Sequence, residues 1–129
     1  MKDQDQSSNV TVYSIAPQFP VPDVVKAAEY YRDSFGFEIL GYFLDPPVYA
    51  IVKRQGAEIH FGKSDHPHSN TSVRPEGIDA YIFVDNVDRL VKEFQARSTL
   101  IVEGPVDRVY NRREITVVDC YGYTLVFGS

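Results

Sequence analysis

Gly56-Ala57-Glu58-Ile59-His60-Phe61-Gly62 and Gly122-Tyr123-Thr124-Leu125-Val126-Phe127-Gly128 are one pattern written twice, 66 residues apart. The first alternates apolar and polar residues between two glycines, the signature of a half-buried strand, and the second keeps the same glycine-bounded frame with Val126 in place of a polar residue. Earlier in the chain, Val21-Pro22-Asp23-Val24 is answered 63 residues later by Val84-Asp85-Asn86-Val87. At that spacing Tyr31 falls on Phe94. Two agreements in chain order, differing by a three-residue insertion, make an internal repeat.

The segments between these anchors complete the repeat. Asp23 is a natural N-cap. Val24, Ala27, Ala28, Tyr31 and Phe35 then recur at helical spacing, and Gly36 suits the left-handed position that ends a helix. An extended segment from Val10 to Pro22 precedes it, edge-like because Pro17, Pro20 and Pro22 lack amide donors. Strands are expected at Phe37–Leu44, Val48–Arg54 and Ala57–Gly62. Asp45-Pro46-Pro47 and Gln55-Gly56 supply the turns between them. The second half repeats the order. Strand Ile78–Val84 leads to a helix capped by Asn86 or Asp85, with Val87, Leu90, Val91 and Phe94 as its stripe. Strands near Leu100–Glu103, Glu114–Val118 and Tyr123–Phe127 follow. The fold class is α+β. Two tandem βαβββ modules form curved sheets around a cleft lined by alternate strand residues. Residues 1–9 read as a disordered tail and 10–129 as a single domain. Module one covers 10–62, a linker loop 63–77, and module two 78–128.

Composition sets the boundaries. The chain has 129 residues, a formal net charge of −5 and a single cysteine, Cys120. The length suits one domain. The acidic balance argues against a nucleic-acid partner. No apolar run approaches the roughly 18–20 residues that span a bilayer, and the polar start Met1-Lys2-Asp3-Gln4-Asp5 is no signal peptide. A cytoplasmic protein with no membrane partner is expected. One cysteine excludes an internal disulfide. Cys120 itself, with no His or Lys beside it in sequence, reads as a small filler. His66-Pro67-His68 lacks a third ligand, and Asn9-Val10-Thr11 and Asn70-Thr71-Ser72 carry no meaning without secretion.

The duplicated unit, the run from Val21-Pro22-Asp23-Val24 through Tyr30-Tyr31 to Phe35-Gly36-Phe37, and the ending Arg113-Glu114-Ile115-Thr116-Val117-Val118-Asp119-Cys120-Tyr121-Gly122 resemble the vicinal oxygen chelate superfamily. That superfamily holds glyoxalases, extradiol dioxygenases and bleomycin resistance proteins. Arg113-Glu114 and the closing Phe127-Gly128 are most similar to the bleomycin resistance branch. The resemblance implies a glyoxalase/bleomycin-resistance-like fold and a homodimer whose second chain finishes the cleft, with the first strand near the contact. In metal-dependent members four inward positions carry the ligands. By motif these fall here on Ala16, His60, Asp79 and Val126. Alanine and valine offer no lone pair, so no metal site and no cofactor are assigned.

What remains is a cleft able to bind. Ligand contacts are expected from Gln18, Glu58, His60, Asp79, Tyr81, Tyr110, Arg112 and Val126. An acidic, aromatic-lined cleft suits a cationic ligand with flat rings. The resemblance implies sequestration of such a small molecule without a metal, an antibiotic-resistance type of role. The alternative is a lyase or isomerase with His60 or Asp79 as general base, acting on a small polar substrate. No catalytic residue is assigned outright. His60 reads equally as a hydrogen-bonded cleft histidine, Asp79 as a turn cap, and Tyr81 as packing. The arginines after Tyr110 read equally as a solvated turn.

Overall fold

The computed structural model describes residues 9–66 and 77–129. The expected disordered tail, residue 9 apart, and most of the expected linker lie outside the described residues. So do Pro67, His68 and the Asn70-Thr71-Ser72 triplet.

The order is β1 (Gln18–Val21), α1 (Val24–Phe35), β2 (Glu38–Phe43), β3 (Tyr49–Arg54), β4 (Ala57–Lys63), β5 (Ala80–Phe83), α2 (Val87–Ala96), β6 (Glu103–Arg108), β7 (Arg112–Val118) and β8 (Thr124–Gly128). The helix signals act as the residues dictate. The Asp23 carboxylate accepts from the Val25 and Lys26 amides, and Gly36 closes α1 at φ 76°. Asn86 caps α2 through the Arg89 amide.

Each module folds into a four-stranded sheet, in the orders β1-β4-β3-β2 and β5-β8-β7-β6. The first strand of each runs parallel to the last, and the other neighbours are antiparallel. Gln18 pairs with His60 and Tyr81 with Val126. Gln18 and Tyr81 are 63 residues apart and His60 and Val126 are 66 apart, so the repeat read in sequence is the repeat of the ladders.

One face of each sheet is covered by its helix. Ala50, Val52, Ile59 and Phe61 are buried on that face in module one; Ile115, Val117, Leu125 and Phe127 are buried in module two. Both sets belong to one continuous core. The modules join through it. Phe35 meets Phe94, and the Tyr31 hydroxyl donates to the buried Asp119 carboxylate at 2.7 Å. Arg54 donates twice to Glu93, at 2.8 and 2.6 Å.

Two elements depart from the sequence reading. The first strand is confined to Gln18–Val21, and residues 9–17 form no strand. Pairing to β4 begins only where the Pro17 carbonyl accepts the His60 amide. Val10, Val12, Tyr13 and Ile15 are accordingly 77–93% exposed. The sixth strand begins at Glu103 rather than Leu100 and continues through Gly104-Pro105, residues that read as breakers. A bulge between Glu103 and Val106 absorbs them. Gly104 sits there at φ 98°, and a Cβ on it would run into the Glu114 carbonyl. Among the described residues, no helix is long and apolar enough to cross a membrane.

Candidate functional site

The sheet faces turned away from the helices carry the chemistry. Alternation puts Tyr49, Glu58 and His60 there in module one, because their neighbours Ala50, Ile59 and Phe61 face the core. His60 uses both ring nitrogens. Nδ1 lies 2.8 Å from the Tyr49 hydroxyl and Nε2 lies 2.6 Å from Glu58 Oε2. An ionised carboxylate only accepts, so a proton sits on Nε2. In the neutral ring Nδ1 then accepts the Tyr49 hydroxyl. Phe43 flanks Tyr49 at 6.1 Å between ring centroids and is half exposed.

Module two answers with a carboxylate instead of an imidazole. Glu114 is 3% exposed and accepts from the Tyr81 hydroxyl at 2.8 Å, the Tyr110 hydroxyl at 2.7 Å and Arg108 Nε at 2.9 Å. Burial pushes its pKa up, but the three donors outweigh burial and hold the carboxyl below its usual range. Burial, then the bond to Glu114, push the Tyr81 phenol up to about 12. Gly128 makes this possible, since a Cβ there would collide with the Tyr81 hydroxyl. Beside the cluster, Phe83 is 69% exposed, with the Arg112 guanidinium 5.0 Å over its ring.

The residues singled out in sequence do not all meet. Glu58 and His60 bond directly. Tyr81 and Tyr110 share Glu114. Arg112 rests on Phe83, two residues from Tyr81 on the same strand. Gln18 is exposed on the edge strand, its amide beside Gly62. Val126, 3% exposed, lies between Tyr81 and Thr116 in the ladder. The Asp79 carboxylate accepts the Thr124 amide at 2.8 Å and ties the start of β5 to β8. Glu58 and Tyr81 also line one cavity of about 690 Å³ between β4 and β5.

The sequence reading does not place Tyr49 or Glu114 in the site, although Arg113-Glu114 carries part of the resemblance. Both stand opposite the repeat glycine, Tyr49 opposite Gly62 and Glu114 opposite Gly128. The signal was present in the repeat, one strand away from the motif that revealed it. Arg108 lies on the strand whose start was misplaced.

The donor set at the four positions that the resemblance suggests does not fit a metal. Ala16 and Val126 have no donor atom, His60 is bonded at both nitrogens, and Asp79 holds a backbone amide. Among the described residues, no three His, Cys, Asp or Glu side chains are grouped to hold an ion. Burial, with the Asp119 charge second, pushes the Cys120 thiol up to about 11, away from a reactive thiolate.

The profile of the Glyoxalase/Bleomycin resistance protein/Dioxygenase superfamily matches residues 14–127. Among solved structures, the chain is similar to a glyoxalase-related enzyme from Clostridium phytofermentans, with 15% identity and a TM-score of 0.75. The match covers 94% of this chain and 97% of that one. It is also similar to a glyoxalase/bleomycin resistance protein/dioxygenase from Alicyclobacillus acidocaldarius, with 16% identity, coverage of 90% and 89%, and a TM-score of 0.73. TioX from Micromonospora sp. ML1 matches with 18% identity, coverage of 91% and 98%, and a TM-score of 0.72. These likenesses are likenesses of fold. A search among curated proteins gives no match.

Proposed function

The chain belongs to the Glyoxalase/Bleomycin resistance protein/Dioxygenase superfamily, and we propose that within it the protein is a metal-independent small-molecule binder of the bleomycin-resistance type. The observation that carries this reading is the pair of exposed aromatic platforms. Phe43 beside Tyr49 stands on one open sheet face; Phe83 and Tyr110 stand on the other, 69% and 59% exposed. Rings so exposed mark an interaction surface. Glu58 is bonded to His60 on the first face and Glu103 is paired with Arg108 beside the second, and the net charge of −5 favours a cation at long range. The ligand is a cationic molecule with flat rings, held by stacking. A twofold homodimer lays the module-one face of one chain over the module-two face of the other and excludes water from both.

Calorimetric titration with bleomycin, a cationic glycopeptide with flat rings, tests the binding. Heat is expected from the intact chain, with affinity reduced about tenfold or more in Phe83→Ala. No heat at high micromolar ligand defeats the reading. Sedimentation at micromolar protein is expected to show a dimer.

A second reading, lyase or isomerase chemistry, is favoured by one arrangement, the Tyr49–His60–Glu58 chain. Tyr49 can pass its hydroxyl proton to Nδ1, and Glu58 then balances the imidazolium charge. The group presented to a substrate is thus the Tyr49 oxygen, with His60 behind it. Asp79, engaged with the Thr124 amide, is the weaker base candidate. Tyr49→Phe keeps the ring and removes the relay. If mass spectrometry shows a bound ligand converted by the intact chain and unchanged by Tyr49→Phe, the second reading replaces the first.

A further inference from the structure

The two modules meet at a seam that the repeat makes nearly twofold, and the seam is filled on one side only. On the filled side, Tyr123 stacks on Phe19, with centroids 4.5 Å apart and planes 13° apart. Its hydroxyl donates to the Pro20 carbonyl at 2.5 Å. Tyr121 lies beneath the Lys26 ammonium, 5.4 Å from it.

At the repeat spacings of 66 and 63, the counterpart of Tyr123 is Ala57, of Phe19 is Ile82 and of Pro20 is Phe83. The counterpart of Tyr121 is Gln55 and that of Lys26 is Arg89. All five counterparts line the 690 Å³ cavity. Alanine and glutamine stand where the other half has two tyrosines, and the cavity includes the place those rings would take. Its volume falls within the roughly 300–1,000 Å³ of small-molecule sites.

The carbonyl acceptor has a counterpart as well. In β1, Val21 is turned toward β4, its carbonyl accepting the Ser64 amide, so Pro20 points off the free edge, where Tyr123 finds it. In β5, Val84 is turned toward β8, its amide donating to the Gly128 carbonyl. Alternation therefore points the Phe83 carbonyl off the free edge of β5, toward the cavity. A ring seated against Ile82 with a hydroxyl at its tip meets there an acceptor like the one that Tyr123 uses.

We propose that this cavity is a binding site for a phenol-bearing small molecule, its ring seated beside Ala57 and its hydroxyl donating to the Phe83 carbonyl. Glu58, Tyr81 and Phe83 border both this cavity and the open sheet faces, but the ring seat at Ala57 and Ile82 lies on the core side of the strands and the proposal does not depend on the reading given for those faces. Arg89 and the Arg54–Glu93 pair stand at its polar side and meet whatever part of the molecule extends beyond the ring.

The test uses p-cresol and toluene as probes of the intact chain, followed by amide NMR. p-Cresol is expected to shift the Ala57, Ile82 and Phe83 amides saturably and to bind about fivefold more tightly than toluene, the worth of one net hydrogen bond. Ala57→Tyr and Ala57→Leu fill the space and are expected to abolish these shifts, while the bleomycin response of Phe43 and Tyr49 stays as in the parent. The absence of a saturable shift at these amides in the intact chain overturns the proposal, whether the cavity is then empty or filled by a second copy. So does p-cresol binding that survives in whichever filled variant folds. Equal binding of toluene overturns the role of the Phe83 carbonyl. If p-cresol binds and bleomycin does not, this site stands and the reading of the sheet faces fails.

Discussion

Module one and module two place a glycine at the same point of the ladder, Gly62 and Gly128, and surround it with different chemistry. Around Gly62 stand Gln18 and Tyr49, and Tyr49 leads to His60 and Glu58. Around Gly128 stand Tyr81 and Glu114, with Tyr110 and Arg108 completing the cluster. On the helix side the counterparts hardly change: Ile59 and Leu125, Phe61 and Phe127, Val52 and Val117. One side of each repeated strand holds the fold and tolerates only a similar apolar volume. The other side is free to carry an imidazole in one module and a carboxylate in the other.

Several substitutions would break or sharpen this comparison. The largest effect is expected at the seam. Tyr123→Ala removes a stacked ring and its bond to Pro20, and should cost about 3–5 kcal/mol in chemical denaturation. Next comes the carboxylate cluster. Glu114→Ala leaves two hydroxyls and the Arg108 Nε without their acceptor, while Arg108 keeps Glu103, and should cost about 2–3 kcal/mol. The same cluster has a pH signature. Because Glu114 titrates lower when folded, its contribution is whole above the usual carboxylate range and is lost as pH falls through its folded pKa. Glu114→Gln should flatten that part of the acid-unfolding profile.

Smaller effects are expected from the remaining contacts. Arg54→Ala removes a partly exposed bridge to Glu93, and should cost about 1 kcal/mol, less in high salt. His60→Ala, on the more open face of module one, should cost about 0.5–1 kcal/mol and leave the Glu114 cluster intact. The subtlest is a titration. The Tyr81 ring should ionise near 12 by tyrosine NMR, not near 10. Its stabilising contribution is full below pH 10 and is lost as pH rises through about 12. Glu114→Gln should lower that value only in part, since burial is the larger cause.

Much of the architecture was legible in sequence because it rests on local signals. Asp23 and Gly36 bracket α1 by capping chemistry, and the two glycine-bounded strands announce the duplication. The sixth strand was misread because Gly104-Pro105 breaks local propensity, and only pairing with β7 across a bulge shows why a glycine belongs there. The first strand was read too long because alternation predicts extended chain, not whether a neighbour is present to bond it. At the site, His60 and Glu58 could be placed on one face by period alone. That Tyr49 and not Asp79 reaches the imidazole, and that Glu114 gathers two tyrosines and an arginine, depends on register between strands.

The chain's own order of residues determined a duplicated α+β unit, its caps, its inward faces and the lack of donor atoms at Ala16 and Val126, because each is a matter of residue type and short-range period. Tertiary structure alone decided which partners each side chain meets and that the seam is filled by Tyr123 on one side and open beside Ala57 on the other. The physical reason is that both depend on groups far apart in sequence. Their meeting is settled by how two sheets and two helices share one core, and no local pattern encodes that packing.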